Sequence, residues 1–216
     1  MYLPMKRIRT TSGDWVYSTE KGILPGVTTI LKETMPEQKR ENLLNWRKNL
    51  GPEADQISQR ALDKGRKVHK MIEKQLKGEK VECPEDLNEI WNKVQETLST
   101  IEHVDGLEEM VYHPDLLYAG RFDLLAQWYG SLTIVDFKTS GREKQRRWLE
   151  DEFLQLAAYR GAYQSTHNTE IDYGGVIVVI SPEVIQSFEV DSKELEFYWN
   201  QWLKRLEQYN NAYRNF

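Results

Sequence analysis

Two apolar stretches, Tyr118 to Gln127 and Ser131 to Lys138, flank a tight turn at Tyr129-Gly130 and constrain the fold more than any other feature. Two-residue connections of this kind select an antiparallel hairpin. Counting back from the turn pairs Trp128 with Ser131, Leu125 with Ile134 and Asp123 with Asp136. Two carboxylates would then oppose each other about 5 Å apart at Cβ, where like charges weaken a sheet. A divalent cation offsets such repulsion, because Mg²⁺ takes carboxylate oxygens as ligands. Lys138 follows Asp136 by two residues, so period-two alternation projects it from the same face. Phe122, Leu124, Val135 and Phe137 are expected on the opposite face, and Leu125 and Ile134 separate the charges from the turn. A carboxylate pair at one end of an otherwise buried hairpin is costly unless it is used.

Around the hairpin the periodicity predicts an α/β chain. The first residues read as a short hairpin at Ser12-Gly13-Asp14, followed by a break at Pro25-Gly26. From Glu37 to Ile101 the pattern is helical in three segments: one to about Leu50, a second through Ala61, Leu62, Val68, Ile72 and Leu76, and a third through Leu87, Ile90, Trp91, Val94 and Leu98. Strand signals begin at about Leu107. A helix is expected from about Leu149 to Gln164, then a strand buried on both faces over Gly175 to Ile180, and another strand after Pro182. Leu195, Trp199, Trp202, Leu206, Tyr209 and Tyr213 recur at three- and four-residue steps, the stripe of a final helix packed on a core. A length of 216 residues suits one domain, divided into an N-terminal helical part (1–104) and a sheet-bearing part (105–216).

Composition removes several classes of function. One cysteine, Cys83, excludes an intrachain disulfide, a cysteine-rich zinc site and an iron-sulfur cluster. No apolar run approaches the roughly 20 residues of a membrane helix. Met1-Tyr2-Leu3-Pro4 resembles neither a signal peptide nor a mitochondrial presequence, so a cytoplasmic location is expected. The net charge of −5 argues against bulk electrostatic coating of nucleic acid. Basic residues do gather at Lys64-Gly65-Arg66-Lys67 with Lys70 and Lys74, and from Arg142 to Arg147, although either run alone reads as a solvated face.

Four further residues stand out. His69 lies on the apolar stripe of the second helix, among Leu62, Gly65 and Ile72, where a core histidine is the plain reading. Gly65 weakens that helix by about 1 kcal/mol, which suggests a close approach by a neighbour or ligand. Gln155 and Tyr159, four apart, share a helix face and by themselves read as a polar rim.

Taken in order, Gly65-x-x-x-His69, Gly120-Arg121-Phe122-Asp123, Val135-Asp136-Phe137-Lys138-Thr139-Ser140 and Gln155-x-x-x-Tyr159 resemble the motifs of RecB-like PD-(D/E)XK nucleases. Leu24 to Leu31 and Tyr198 to Glu207 extend the resemblance to the branch that holds mitochondrial genome-maintenance exonucleases and their phage relatives. It implies a restriction-endonuclease-like central mixed β-sheet flanked by helices, with an N-terminal helical arch that admits single-stranded DNA ends. The implied activity is exonucleolytic hydrolysis of DNA with Mg²⁺ or Mn²⁺, in replication, recombination or repair. By position, His69, Asp123, Asp136 and the Phe137 carbonyl would be metal ligands, and Lys138 the catalytic lysine. Gln155 and Tyr159 would orient the site or touch DNA. Many relatives carry another carboxylate on the preceding strand. Here Glu108 and Glu109 face opposite sides, and Glu108 is preferred.

Further DNA contacts are expected from Lys64, Arg66, Lys67, Arg121, Ser140, Arg142, Arg146 and Arg147. Trp46 could stack bases, as could Trp91 unless it packs in the core. Without a presequence, a bacterial or phage member is expected. A duplex endonuclease or junction resolvase would use the same residues, and a catalytically silent DNA-binding protein is the alternative from another class.

Overall fold

The computed structural model describes residues 5–180 and 184–213. Met1 to Pro4, read for a leader, and Pro182, expected before the last strand, lie outside the described residues. The chain opens with a meander of three antiparallel strands, β1 (Lys6–Arg9), β2 (Trp15–Thr19) and β3 (Gly22–Pro25). A short helix, α1 (Val27–Glu33), follows the Pro25-Gly26 break. The sequence had suggested no third strand and no helix here, because Val27-Thr28-Thr29-Ile30 is a β-branched run of low helix propensity. Burial overrides propensity, since Val27, Thr29, Ile30 and Leu31 are all buried.

The helical segments appear as α2 (Glu37–Leu50), α3 (Glu53–Leu76) and α4 (Asn88–Leu98). Helix α3 buries Ala54 in its first turn and Val68, Met71 and Ile72 in its C-terminal half. Ala61 and Leu62, expected on the same stripe, are exposed because no element packs over the middle of the helix, and α2 buries no residue at all. The strands that follow are β4 (Ile101–Leu107), β5 (Met110–His113), β6 (Tyr118–Arg121), β7 (Leu124–Trp128) and β8 (Ser131–Ser140). The division anticipated at 104/105 falls inside β4. Helix α5 (Glu150–Thr166) connects β8 to β9 (Tyr173–Ile180), and β10 (Val184–Val190) and α6 (Ser192–Tyr213) complete the chain.

The central sheet has the order β10-β9-β8-β7-β4, with β8 and β9 parallel and the other neighbours antiparallel. It is therefore the mixed sheet flanked by helices that the resemblance implied. The hairpin register is the one dictated by its two-residue turn, from Trp128↔Ser131 to Leu124↔Val135. Tyr129 and Gly130 both adopt positive φ, at 51° and 74°, which the turn requires and glycine takes without strain.

Both sheet faces are covered. Leu125 and Ile134 meet Ile30 of α1, Phe153 of α5 and Trp202 of α6 on one face. Leu124, Val135 and Phe137 meet Val68 and Ile72 of α3 and Ile90 and Trp91 of α4 on the other. Trp91 thus takes the core role. Phe122 corrects the expected alternation, because it packs with Leu125 and Ile134 and not with Leu124. The chain breaks between β6 and β7 at Phe122-Asp123, so period two does not carry across.

Candidate active site

The pairing of β8 changes along its length. Ser131 to Val135 pair with β7, whereas Asp136 to Ser140 pair only with β9. The β7 side of Phe137 is occupied by side chains. Asp123 Oδ2 accepts the Phe137 N–H at 2.8 Å, and His69 Nε2 donates to the Phe137 carbonyl at 2.7 Å. A carbonyl only accepts, so Nε2 carries a proton and the other ring nitrogen is directed elsewhere. His69 Nδ1 lies 3.6 Å from Asp123 Oδ2 and 3.9 Å from Glu108 Oε1.

Asp123 therefore does not oppose Asp136 within a continuous ladder. It sits one residue beyond β7, where the broken strand lets its carboxylate bend onto the Phe137 amide. Glu108, at the break between β4 and β5, has φ of 53°, and its N–H donates to the Asp123 carbonyl at 2.9 Å. That local conformation aims Glu108 at the site.

One donor atom each from His69, Glu108 and Asp123 can be chosen with all of them within 4.8 Å of one another. Ligand distances of about 2–2.6 Å let a divalent cation sit among atoms so spaced, so the residues fit such an ion. Burial works against a charged imidazole, but Glu108, Asp123 and Asp136 outweigh it and raise the His69 pKa. Burial likewise raises the Asp123 carboxyl, against the pull of His69 and Lys138.

Asp136 is 2% exposed, and its Oδ2 lies 2.5 Å from Lys138 Nζ. The two are close, yet among the described residues that oxygen makes no hydrogen bond of good alignment. Burial pushes the Asp136 carboxyl up to about 6, with Asp123 adding to the rise and Lys138 opposing it. Burial disfavours the Lys138 ammonium too, but Asp136 and Asp123 outweigh it and hold its proton on. Lys138 accordingly enters the site as a cation.

Behind the lysine, Nζ donates to Gln155 Oε1 at 3.4 Å, and Gln155 Nε2 donates to the Tyr159 hydroxyl at 3.0 Å. The 155/159 pair is thus a support that reaches Lys138. Room for the Tyr159 ring comes from Gly120, where a Cβ would sit 2.2 Å from ring carbon Cε1. Gly65 serves a similar approach, since a Cβ there would lie 3.2 Å from Thr139 Oγ1.

The open side is a cleft of about 790 Å³ that runs from His69, Glu108 and Lys138 along α3 to Leu62 and Ser58. Arg66 and Lys70 line it, with Arg66 also 3.1 Å from Asp63, while Lys67 is exposed on the same helix. Arg121 lines it as well and pairs with Glu108 at 3.0 Å. Trp46 is 36% exposed on α2. Beyond the end of β8, Ser140 Oγ donates to the Arg142 carbonyl, and the Arg142 guanidinium lies over Trp148. Arg146 is engaged by Glu194 and the Glu189 carbonyl.

Sequence reasoning passed over Glu152, one turn before Gln155. Burial raises its carboxyl, while Lys138 pulls it down. In the sequence it looks like part of an acidic helix start, Glu150-Asp151-Glu152, which the helix dipole alone explains.

This chain belongs to the PD-(D/E)XK nuclease superfamily, whose family model matches residues 39–215. It is 31% identical over 203 residues to mitochondrial genome maintenance exonuclease 1 of Xenopus tropicalis, covering 87% of this chain and 58% of that protein. Against the human protein of the same name the identity is 27% over 211 residues, covering 91% and 61%. The chain thus spans about three fifths of these relatives' length. The crystal structure of SSO0001 aligns with 81% of this chain and 71% of its own at 16% identity, with a TM-score of 0.42.

Proposed function

We propose that this protein is an exodeoxyribonuclease that hydrolyses phosphodiester bonds from the ends of single-stranded DNA. The observation that carries the reading is the convergence of His69, Glu108 and Asp123 beside a buried Asp136–Lys138 pair in an open cleft. His69, Glu108 and Asp123 would hold a Mg²⁺ or Mn²⁺ ion, with Asp136 and the Phe137 carbonyl adjoining. When bound, such an ion neutralises the clustered carboxylates and polarises a phosphate oxygen.

Each residue then has a distinct task. Lys138 brings a fixed positive charge to where negative charge grows on the phosphate. Gln155 and Tyr159 restrain the lysine, so its ammonium costs little to position during reaction. Asp123, fixed by the Phe137 amide, keeps its remaining lone pairs turned toward His69 Nδ1. Arg66, Lys70 and Arg121 line the approach of a polyanion, and Ser140, Lys67 and Arg142 lie further along it. The exposed Trp46 offers a stacking surface that a single strand with unpaired bases can use.

Exonuclease character is supported by the relatives, each named an exonuclease, and by the resemblance, which implies an arch over the site. Among the described residues no helix is long and apolar enough to cross a membrane. DNA replication, recombination or repair is the setting we propose for the activity.

The test uses end-labelled single- and double-stranded DNA, linear and circular, with Mg²⁺, Mn²⁺ or EDTA. Mononucleotide or short products from linear single strands, abolished by EDTA, are expected. Cleavage of circles would instead identify an endonuclease or resolvase. Binding without turnover under every condition would identify a silent DNA-binding protein.

A further inference from the structure

The N-terminal meander carries an arginine that the nuclease chemistry described so far does not use. Arg7 of β1 is the cross-strand partner of Tyr17 on β2, so the two side chains share a face. Tyr17 is buried with Leu24 and Ala119, and a bridge between Gly26 and Ala119 joins the meander to β6. Two residues after Ala119 comes Arg121, whose guanidinium reaches Glu108 at 3.0 Å. Arg7 is therefore carried behind the part of the cleft wall that Arg121 and Glu108 form, close enough to feel the charge of both.

Its guanidinium rests on the Trp15 ring, 3.7 Å from the centroid, and Arg9 approaches the same ring at 5.7 Å. Arg7 Nε is buried with no hydrogen-bond partner among the described residues, and Arg7 forms no ion pair among them. Burial and the neighbouring Arg121 both work against its charge, while Tyr17, Tyr159 and Glu108 favour it. Buried donors without partners are costly. Glu108 pairs with Arg121 alone, so the Arg7 guanidinium is left without a carboxylate of its own, and a cation on Glu108 would weaken that carboxylate's hold on both arginines.

We propose that Arg7, together with Arg121, binds a DNA backbone phosphate adjacent to the one being cleaved. This rests on the nuclease reading above. A phosphodiester is planar-fork compatible, anionic and present at each step along the strand, which matches a guanidinium held rigid on an indole. The meander then serves as a second phosphate clamp that sets how far a strand end advances into the cleft.

The experiment is a double-modification cycle. Single-turnover cleavage, and binding by fluorescence anisotropy with Ca²⁺, are measured for single-stranded oligonucleotides that each carry one neutral methylphosphonate at successive positions from the end. Wild type, Arg7→Gln and Arg7→Lys are compared, with thermal melts to check folding. Arg7→Gln should weaken reaction and binding of the unmodified strand roughly tenfold, the loss of one charged hydrogen bond. At one position near the scissile phosphate, a methylphosphonate should cost wild type a similar factor and cost Arg7→Gln almost nothing more. Arg7→Lys should recover part of the loss with that same positional signature.

Losses that multiply at every position, in both variants, would overturn the assignment and make Arg7 a packing residue. Should wild type cleave no DNA, the nuclease reading falls, and the binding cycle still decides whether Arg7 touches phosphate.

Discussion

Gly120 lies against the Tyr159 ring so closely that a methyl group at Gly120 would sit 2.2 Å from ring carbon Cε1. Tyr159 is 3% exposed and accepts a hydrogen bond from Gln155, so its ring has little freedom to retreat. Gly120→Ala should cost about 1–3 kcal/mol by overpacking. A displaced ring would also loosen Gln155 and the lysine it supports. We expect a lower Tm together with a fall in kcat that exceeds any change in KM, measured by thermal melts and steady-state kinetics. Wild-type values of both would mean that the ring is not confined.

Lys138→Ala removes the cation next to Asp136 while leaving the cleft's other lining charges in place. Turnover should fall by about 100-fold or more, the scale for losing one preorganised charge-stabilising group. Affinity for single-stranded DNA, read by anisotropy, should change only a fewfold. Undiminished hydrolysis would remove Lys138 from the chemistry.

Asp123→Asn exchanges a partly buried carboxylate for an amide whose oxygen can still accept the Phe137 N–H. Without metal, its Tm should stay level or rise. Addition of Mg²⁺ or Mn²⁺ should raise the Tm of wild type by mass action and leave that of the variant nearly unmoved. A clear fall in the metal-free Tm would identify Asp123 as a structural anion.

The folded-state pKa of Asp136, about 6, lies above the ordinary 3.8. Between those values the folded protein binds more protons than the unfolded chain, so this group makes the metal-free protein more stable as pH falls through about 6 toward 4. The full shift corresponds to about 3 kcal/mol at most. His69, also raised, adds stability that is lost as pH climbs through its folded value. Asp14, held low by Lys32, works in the opposite direction, so the comparison must be between variants. Metal-free wild type minus Asp136→Asn should show a Tm advantage that grows from pH 7.5 to pH 5. A flat difference would mean that Asp136 ionises normally.

The sheet was legible because its signals are local. A two-residue turn determines the register, and the apolar run from Gly175 to Ile180 has no other comfortable place than between two layers. Lys138 followed from Asp136 by alternation alone. The arrangement of Asp123 did not, because the bend at Phe122-Asp123 carries no glycine or proline and arises from the packing of Phe122 against α5. His69 looked like core by its stripe, and its role depends on the distant Phe137 carbonyl. Glu152 and Arg7 were invisible for the same reason, since their neighbours at the site come from other parts of the chain.

Asp136 to Ser140 would be a bare strand edge on the β7 side, a natural template for another chain, were it not for the Asp123 carboxylate and the His69 imidazole on Phe137. The side chains proposed to gather a cation thus also cover the Phe137 edge against pairing with a foreign strand. Variants stripped of both should expose that edge and lose solubility even where no metal or DNA is present.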